Sequence, residues 1–511
     1  MSYNAPKSNA VVFSKKPIPF NVKIKLGDEI VKVSTSSKVV GVTLDSKLNW
    51  HEHIENQVTK CKRLIFHLCR CCKLKWGLET HVLVKIWLGC IEPVLLYGCV
   101  VWVTILKSDY YVRKIESVQR LFAIKLIRGF KSISYEASIT LSGLPPIINR
   151  IHERVLSYAA KHPDHYSQPC LNSHIDFTND LSSTYNIDIG NYGRNVVGLN
   201  STPPYMRCSP NVSISPLSLY PLAKEGTLNI YTDGSKTPDG TGCAFVVFYP
   251  DWIYYGQSKL SNENSVFQAE LLAIRNCLQS LFNCQLGSVF HKINIFSDSV
   301  SSLQSIKDCD PKNSLARDVQ KYISFFSMFT EVTLTWCKGH SEILGNELAD
   351  FFAKDAINNP QSKFVSLPPS LSHLKNTVKS KSELDWLTRW KSSTNGKHTR
   401  MFIPNLTPSH LKNRFGYKMT QTITGHSRLN FYLSSIGKSV NPVCACEKFI
   451  ETVSHYLFRC EIESENRADT LIKSCFQEGI QFPPKPELLI SNKTLFKSLQ
   501  TFLNRSSRLD F

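Results

Sequence analysis

The chain has 511 residues, 42% of them hydrophobic and 20% charged, which exceeds one domain of roughly 100–200 residues and excludes disordered and fibrous classes. Lysine and arginine outnumber aspartate and glutamate by 60 to 41, a net charge of +19, which favours a polyanionic partner such as nucleic acid. The 17 cysteines are scattered through the chain and no charged-then-apolar leader opens it, so the thiols read as reduced or metal-bound in an intracellular protein, nuclear or cytoplasmic being unresolved.

Residues 1–160 read as mostly helical after a short β region. "HEHIENQVTKCKRLIFHLCRCCKL" sets Ile54, Val58, Cys61, Ile65 and Leu68 on one stripe at helical spacing. The next apolar segment, Val82 to Leu106, is divided by Lys85, Glu92 and Pro93 and falls short of the roughly 20 uninterrupted residues of a span. It predicts buried helices and no membrane partner. "CRCC" at Cys69 to Cys72 has no companion ligands and reads as thiols on a packed helix.

Residues 161–225 dissolve into Pro, Ser and Asn and predict a linker. Residues 226–358 alternate strand and helix signals, which predicts a compact α/β unit. That unit holds 10 Lys and Arg against 14 Asp and Glu, a net of −4, so the flanks carry +23. A Ser-, Pro- and Lys-rich linker with a helical segment is expected over 359–400. A basic C-terminal region with a cysteine–histidine cluster fills 401–511.

Within the α/β unit, "LNIYTDGS" alternates along a strand that the Asp233-Gly234 pair is expected to end. "TGCAFVVFYP" and "DWIYYGQSKL" continue an antiparallel meander. A helix follows, opened by a Ser265–Gln268 capping box, with Phe267, Leu271, Ile274, Leu278 and Leu281 buried. Glu270 lies about 60° from the centre of that stripe, where helix meets sheet. "KINIFSDSVSS" is a strand ending at Asp298, and "VTLTWCKGH" one ending at Gly339 and His340. "GNELADFFAKDAI" is a helix with Asp350 in its early turns.

Each acid alone has an ordinary explanation: a turn residue, a flank charge, a strand-end cap, an acid favoured near a helix start. Four carboxylates converging on one cleft would repel unless divalent cations compensated them, and hard oxygen ligands select Mg²⁺ or Mn²⁺. Two such ions about 4 Å apart suit an in-line displacement at phosphorus.

"YTDGSK", "FQAELLAI", "IFSDS" and "TWCKGHSEILGNELADFFA" resemble, in order, the motifs of the ribonuclease H type 1 family. The resemblance implies a multidomain chain whose centre is an α/β ribonuclease H-like fold: a five-stranded mixed sheet with helices on both faces. It implies that Asp233, Glu270, Asp298 and Asp350 are catalytic ligands of two Mg²⁺ ions, Mn²⁺ being the alternative, with Asp233 shared between them. It matches His340 to a mobile-loop histidine that assists proton transfer or product release. The implied activity is metal-dependent cleavage of the RNA strand of an RNA–DNA hybrid.

"SNAVVFSKK", "VVGVTLDSKLNWHEHI", "CIEPVLLYGCVVW" and "VQRLFAIKLIRG" are similar to the end of a non-LTR retrotransposon reverse transcriptase, after its catalytic palm. Residues 1–160 would then be a thumb- and connection-like region, and other retroelement proteins would be partners. Where that family has an aromatic-leucine-glycine-valine string, this chain has Val39, Val40, Gly41 and Val42. The chain contains no Asp-Asp dipeptide, so DNA synthesis is not expected of it. A catalytically silent nucleic-acid-binding remnant is the alternative to an active nuclease.

"CACEKFIETVSHYLFRC" offers Cys444, Cys446, His455 and Cys460, a donor set suited to tetrahedral Zn²⁺. Spacing alone leaves zinc and buried thiols open, and the resemblance to retrotransposon proteins favours zinc. Arg414, Lys418 and Arg428 alternate with Phe415, Tyr417, Phe431 and Tyr432, a pattern open to nucleic-acid binding or to core and surface.

Overall fold

The computed structural model describes residues 8–13, 23–26, 29–68, 70, 77–162, 172–192, 210–214, 224–284, 290–309, 311, 313–406 and 415–510. The chain divides into two compact units, Met1–Val155 with Ser380–Phe511, and Leu156–Lys379. Arg414, Cys69, Cys71 and Cys72 lie outside the described residues.

In the first unit, β1 (Asn9–Ala10), β2 (Ile24–Leu26) and β3 (Glu29–Val33) form a sheet with β3 central. Strands β4 (Ser36–Val39) and β5 (Val42–Asp45) form a hairpin. The helix His51–Leu68 buries Ile54, Val58, Cys61 and Ile65, the predicted stripe, with Leu68 half-buried.

The apolar segment that follows is broken, as its Glu and Pro predict. Helix Thr80–Ile86 passes into a π-helical turn, Trp87–Ile91, then into Glu92–Leu95, and Gly98 in the left-handed region leads into Cys99–Trp102. Trp87, Ile91, Leu95 and Trp102 are buried. Glu92 is buried with them, accepting from Trp87 Nε1 at 2.9 Å and Arg150 Nε at 3.2 Å, which compensates its charge. Among the described residues no single helix is long and apolar enough to cross a membrane; the pair Thr80–Leu95 and Cys99–Lys107, bent by 48°, passes by length and composition.

The two flanks of the chain share one core. Ile127, Ile133, Ala137 and Leu141 pack with Trp390, Phe402, Ile423, Tyr456, Leu499 and Phe502. Arg389 bonds Glu116 at 2.7 Å, and Asn149 Nδ2 donates to the Ser382 carbonyl at 2.8 Å.

The second unit is built on a seven-stranded sheet, not the expected five. Its strands are β6 (Val212–Ser213), β7 (Thr227–Thr237), β8 (Gly240–Tyr249), β9 (Trp252–Leu260), β10 (Lys292–Ser297), β11 (Glu331–Trp336) and β12 (Lys363–Phe364), in the order β12-β9-β8-β7-β10-β11-β6. The additions, β6 and β12, are two residues each, lie outside 226–358, and are too short to carry a periodic signal. The expected linker 161–225 also contains the helix Asn172–Thr184.

Strands β7, β8 and β9 form the predicted antiparallel meander, while β10, β11 and β6 run parallel to β7. Alternation sends Leu228, Ile230, Phe245, Val247, Ile293 and Ile295 to one face, beneath the helices Val266–Asn283, Val300–Lys307 and Ser314–Phe326. Tyr231, Val246 and Phe296 point to the other, against Ala349 of the helix Leu344–Asn358. Helices therefore cover both faces, as expected.

Candidate active site

Asp233 does not end its strand. β7 continues to Thr237, paired with β8 throughout, and Asp233 stands opposite Ala244. What stops is the other neighbour: β10 pairs β7 only as far as Ser297 opposite Thr232. Asp233 is therefore the first β7 residue beyond the end of β10, and Asp298 follows directly from β10. The two aspartates meet because each is the first residue beyond the last β10–β7 pair, Ser297 opposite Thr232.

Glu270 comes from the helix Val266–Asn283, whose start is fixed by the predicted Ser265–Gln268 capping box. It is buried, and the Ser297 hydroxyl donates to its Oε2 at 3.5 Å. Carboxylate oxygens of Asp233, Glu270 and Asp298 all lie within 4.8 Å of one another. Gly339 passes so close that a Cβ there would stand 2.7 Å from Asp298 Oδ2.

Asp350 approaches from the opposite face of the sheet. Its carboxylate lies within 4.8 Å of ligand atoms on His340 and Glu347, and Lys354 Nζ bonds its Oδ2 at 2.6 Å. His340 is exposed on its loop and held at φ 51°, a left-handed conformation uncommon outside glycine. The four acids thus arrive as a tight group of three with a fourth beside it.

Burial, then repulsion from Asp298 and Asp350, pushes the Asp233 carboxyl up to about 7. Glu270 is driven well above the usual carboxylate range by burial and by Asp233 and Asp298. Asp298 is raised chiefly by burial, opposed by a hydrogen bond from Asn346 and by His340. A buried, acceptor-only carboxylate group that resists full ionisation fits a hard divalent cation.

Sequence reasoning passed over Asn346, Ser297 and Glu347. Asn346 is buried in the helix Leu344–Asn358, bonds the Asp298 carboxylate, and its Oδ1 accepts from Cys337 Sγ at 3.3 Å. Its signal was an amide three residues before Ala349 on the apolar stripe. Glu347 stands three residues before Asp350, on the same face.

The ribonuclease H family profile matches residues 225–358. The chain carries a ribonuclease H domain. The Retrovirus-related Pol polyprotein from type-1 retrotransposable element R1 4 of Nasonia vitripennis is similar at 28% identity over 138 residues, 27% of this chain and 35% of that protein. That of element R1 of Bradysia coprophila is 33% identical over 84 residues, 16% of this chain and 8% of its own length. The matched regions thus span about a third or less of those relatives. The solved ribonuclease H1 of Halobacterium salinarum is 17% identical, covering 26% of this chain and 98% of its own, with a TM-score of 0.21.

Beyond the ribonuclease H domain, the first unit gathers Cys444, Cys446, His455 and Cys460, with ligand atoms within 4.8 Å of one another. A tight turn, with Glu447 at φ 59° and the Cys444 amide donating to the Phe449 carbonyl at 2.9 Å, presents the first two. Thr452 caps the helix Val453–Phe458 that carries His455, and the Cys460 amide returns to the His455 carbonyl at 2.8 Å. Cys444 and Cys460 sulfurs are 3.6 Å apart, near the edge of about 3.8 Å in a tetrahedron of 2.3 Å zinc–sulfur bonds. Cys446 Sγ lies 3.3 Å from His455 Nε2.

Buried Arg467 donates to the carbonyls of Cys460 at 2.6 Å and Leu457 at 2.8 Å, placing positive charge behind the thiols. Of the basic and aromatic residues before the cluster, Phe415 and Lys418 are buried. Lys418 Nζ donates to the Ser506 carbonyl at 2.6 Å and Asp510 at 3.1 Å, and Arg428 donates to the Asp510 carbonyl.

Proposed function

We propose that this chain is a metal-dependent endonuclease that cleaves the RNA strand of RNA–DNA hybrids, within a retrotransposon-derived protein. The observation that carries the reading is the packing of Asp233, Glu270 and Asp298 carboxylates within 4.8 Å of one another at the end of β10. Asp233, Glu270, Asp298 and Asp350 would hold two Mg²⁺ ions, Mn²⁺ substituting, with Asp233 shared. When bound, these ions would polarise the attacking water and neutralise charge on the leaving oxygen.

The chain's own residues supply the rest. Glu270 and Asp298 are fixed by Ser297 and Asn346 before substrate arrives, so little reorganisation is left to the reaction. The water oxygen bonds to phosphorus, the bond from phosphorus to the 3′ oxygen breaks, and products carry a 5′-phosphate and a 3′-hydroxyl. His340, on an exposed loop, would move a proton at the scissile phosphate or assist product release.

Cys444, Cys446, His455 and Cys460 would hold a structural Zn²⁺, which suits a reducing intracellular compartment, nuclear or cytoplasmic. The basic flanks would hold the hybrid, and other retroelement proteins would be partners.

The test is cleavage of a labelled RNA–DNA hybrid with and without Mg²⁺, by the wild-type chain and Asp233→Asn. RNA-strand cutting that needs metal and is lost in the variant is expected. A folded wild-type chain inert in both Mg²⁺ and Mn²⁺ would sink the enzymatic reading and leave a silent, hybrid-binding protein.

A further inference from the structure

The first unit contains a cavity of about 530 Å³, remote in sequence from the carboxylates, within the range of roughly 300–1,000 Å³ typical of small-molecule sites. Its walls are the β4–β5 hairpin, the helix His51–Leu68, and the segment from Gly89 to Tyr97. Lys38 and Lys60 line it, and no acidic residue is among its described lining. Gln57 lines it too, and the Gln57 Oε1 is buried with no hydrogen-bond partner. A buried amide oxygen left so calls for an N–H or O–H donor.

Two walls are built in uncommon backbone. Val40, a β-branched residue, is held at φ 46°, and Gly41 follows at φ 87°. The turn is pinned by Tyr97, whose hydroxyl donates to the Val40 carbonyl at 2.7 Å. A Cβ on Gly41 would stand 2.9 Å from the Tyr97 ring. The Thr43 amide donates to His53 Nδ1 at 3.2 Å and fastens the hairpin to the helix. Opposite, Gly89 and Cys90 belong to the π-helical turn Trp87–Ile91. Left-handed β-branched residues and π-turns both concentrate at binding sites.

We propose that this cavity binds a nucleoside phosphate. Lys38 and Lys60 meet the phosphate, the Gln57 carbonyl oxygen takes a proton donor from sugar or base, and the half-exposed Tyr97 ring offers an aromatic surface. The same chemistry is presented by a free mononucleotide and by the terminal nucleotide of a strand. The site rests on residues of the first unit alone and does not depend on the nuclease reading.

The experiment uses the full chain without added divalent metal. Adenosine 5′-monophosphate, a 5′-phosphorylated DNA trinucleotide and inorganic phosphate are titrated by calorimetry, and alkylation of Cys90 is followed by peptide mass spectrometry. Gly89→Leu adds a side chain at the cavity wall, at a position where a Cβ meets nothing within 4 Å. The double variant Lys38→Ala, Lys60→Ala removes both cations from exposed positions and keeps the test valid should Gly89→Leu fail to fold.

A nucleotide should bind, slow Cys90 alkylation severalfold, weaken at least tenfold in the double variant and fail to bind in Gly89→Leu. Binding of the mononucleotide assigns a free nucleotide, and binding of the trinucleotide alone assigns a strand end. Inorganic phosphate bound as tightly as either, nucleotide binding that survives in the folded variants, or no binding and no Cys90 protection overturns the proposal.

Discussion

Gly234 and Glu270 meet backbone to backbone: a Cβ on Gly234 would lie 2.6 Å from the Glu270 nitrogen and 2.9 Å from the Ala269 carbonyl carbon. Strand β7 and the helix Val266–Asn283 reach this separation only over a glycine. The Gly234 amide also supports the Asp233 and Glu270 carboxylates. Gly234→Ala must push helix from strand, at a cost of about 1–3 kcal/mol. A carboxylate displaced by about 1 Å loses roughly a hundredfold in rate. Melting temperature and hybrid cleavage at saturating Mg²⁺ test this together, and a wild-type rate would show that the contact does not seat Glu270.

The raised Asp233 carboxyl gives metal-free stability a definite pH dependence. Its folded value is about 7 against 3.8 for the unperturbed group, so the folded state binds the proton more tightly. Below about pH 4 both states carry it and the contribution is fully present; between about 4 and 7 the unfolded chain releases the proton first, and the contribution is lost as pH rises. Melts of metal-free wild type and Asp233→Asn should diverge over that window, with the variant gaining on wild type as pH increases. Mg²⁺ should stabilise wild type more at about pH 8 than at about pH 5, because binding displaces protons. Parallel melting curves for the two proteins would refute the linkage.

The positions of Asp233, Glu270 and Asp298 are legible in the sequence because each lies on, or directly after, an element with strong period: a strand, a capped helix and the end of a second strand. The reason for Asp233's placement is not, since it depends on where β10 stops beside β7, a register between segments about sixty residues apart. The grouping of His340 with Asp350 is hidden because the loop between strand and helix turns through left-handed residues, His340 and Glu342, with no repeat to read. The core joining Leu141 to Trp390 and Phe502 carries no local signal, as a non-local contact is written in neither segment alone. Lys418 illustrates the limit of composition: its pattern is open to nucleic-acid binding or to core and surface, and it is buried against the Ser506 carbonyl.

Asn346 holds Asp298 while its own carbonyl oxygen accepts from buried Cys337. It acts through Asp298 and is a positioning residue. Asn346→Ala should lower apparent Mg²⁺ affinity or rate by about 10–100-fold, as loss of outer-shell partners does. The Mg²⁺ titration of cleavage should shift to higher concentration while KM for the hybrid stays unchanged. A KM change with normal Mg²⁺ dependence would instead place Asn346 against substrate.

The cysteine cluster makes the most direct prediction, because a structural metal is measured by mass. The purified chain should hold one zinc, and Cys460→Ser should lose it, since the remaining three donors leave the tetrahedron open. Burial raises the Cys444 thiol to about 12, so without metal Cys444 stays protonated near neutral pH and only a cation draws the proton off. Zinc uptake by the stripped chain should therefore release protons, countable by an indicator dye. Because His455 and Cys460 border Tyr456 and Leu457 of the shared core, metal loss should also destabilise the first unit by several kcal/mol. Zinc-free wild type of normal stability, or a Cys460→Ser chain with full zinc content, would show that these are packed thiols.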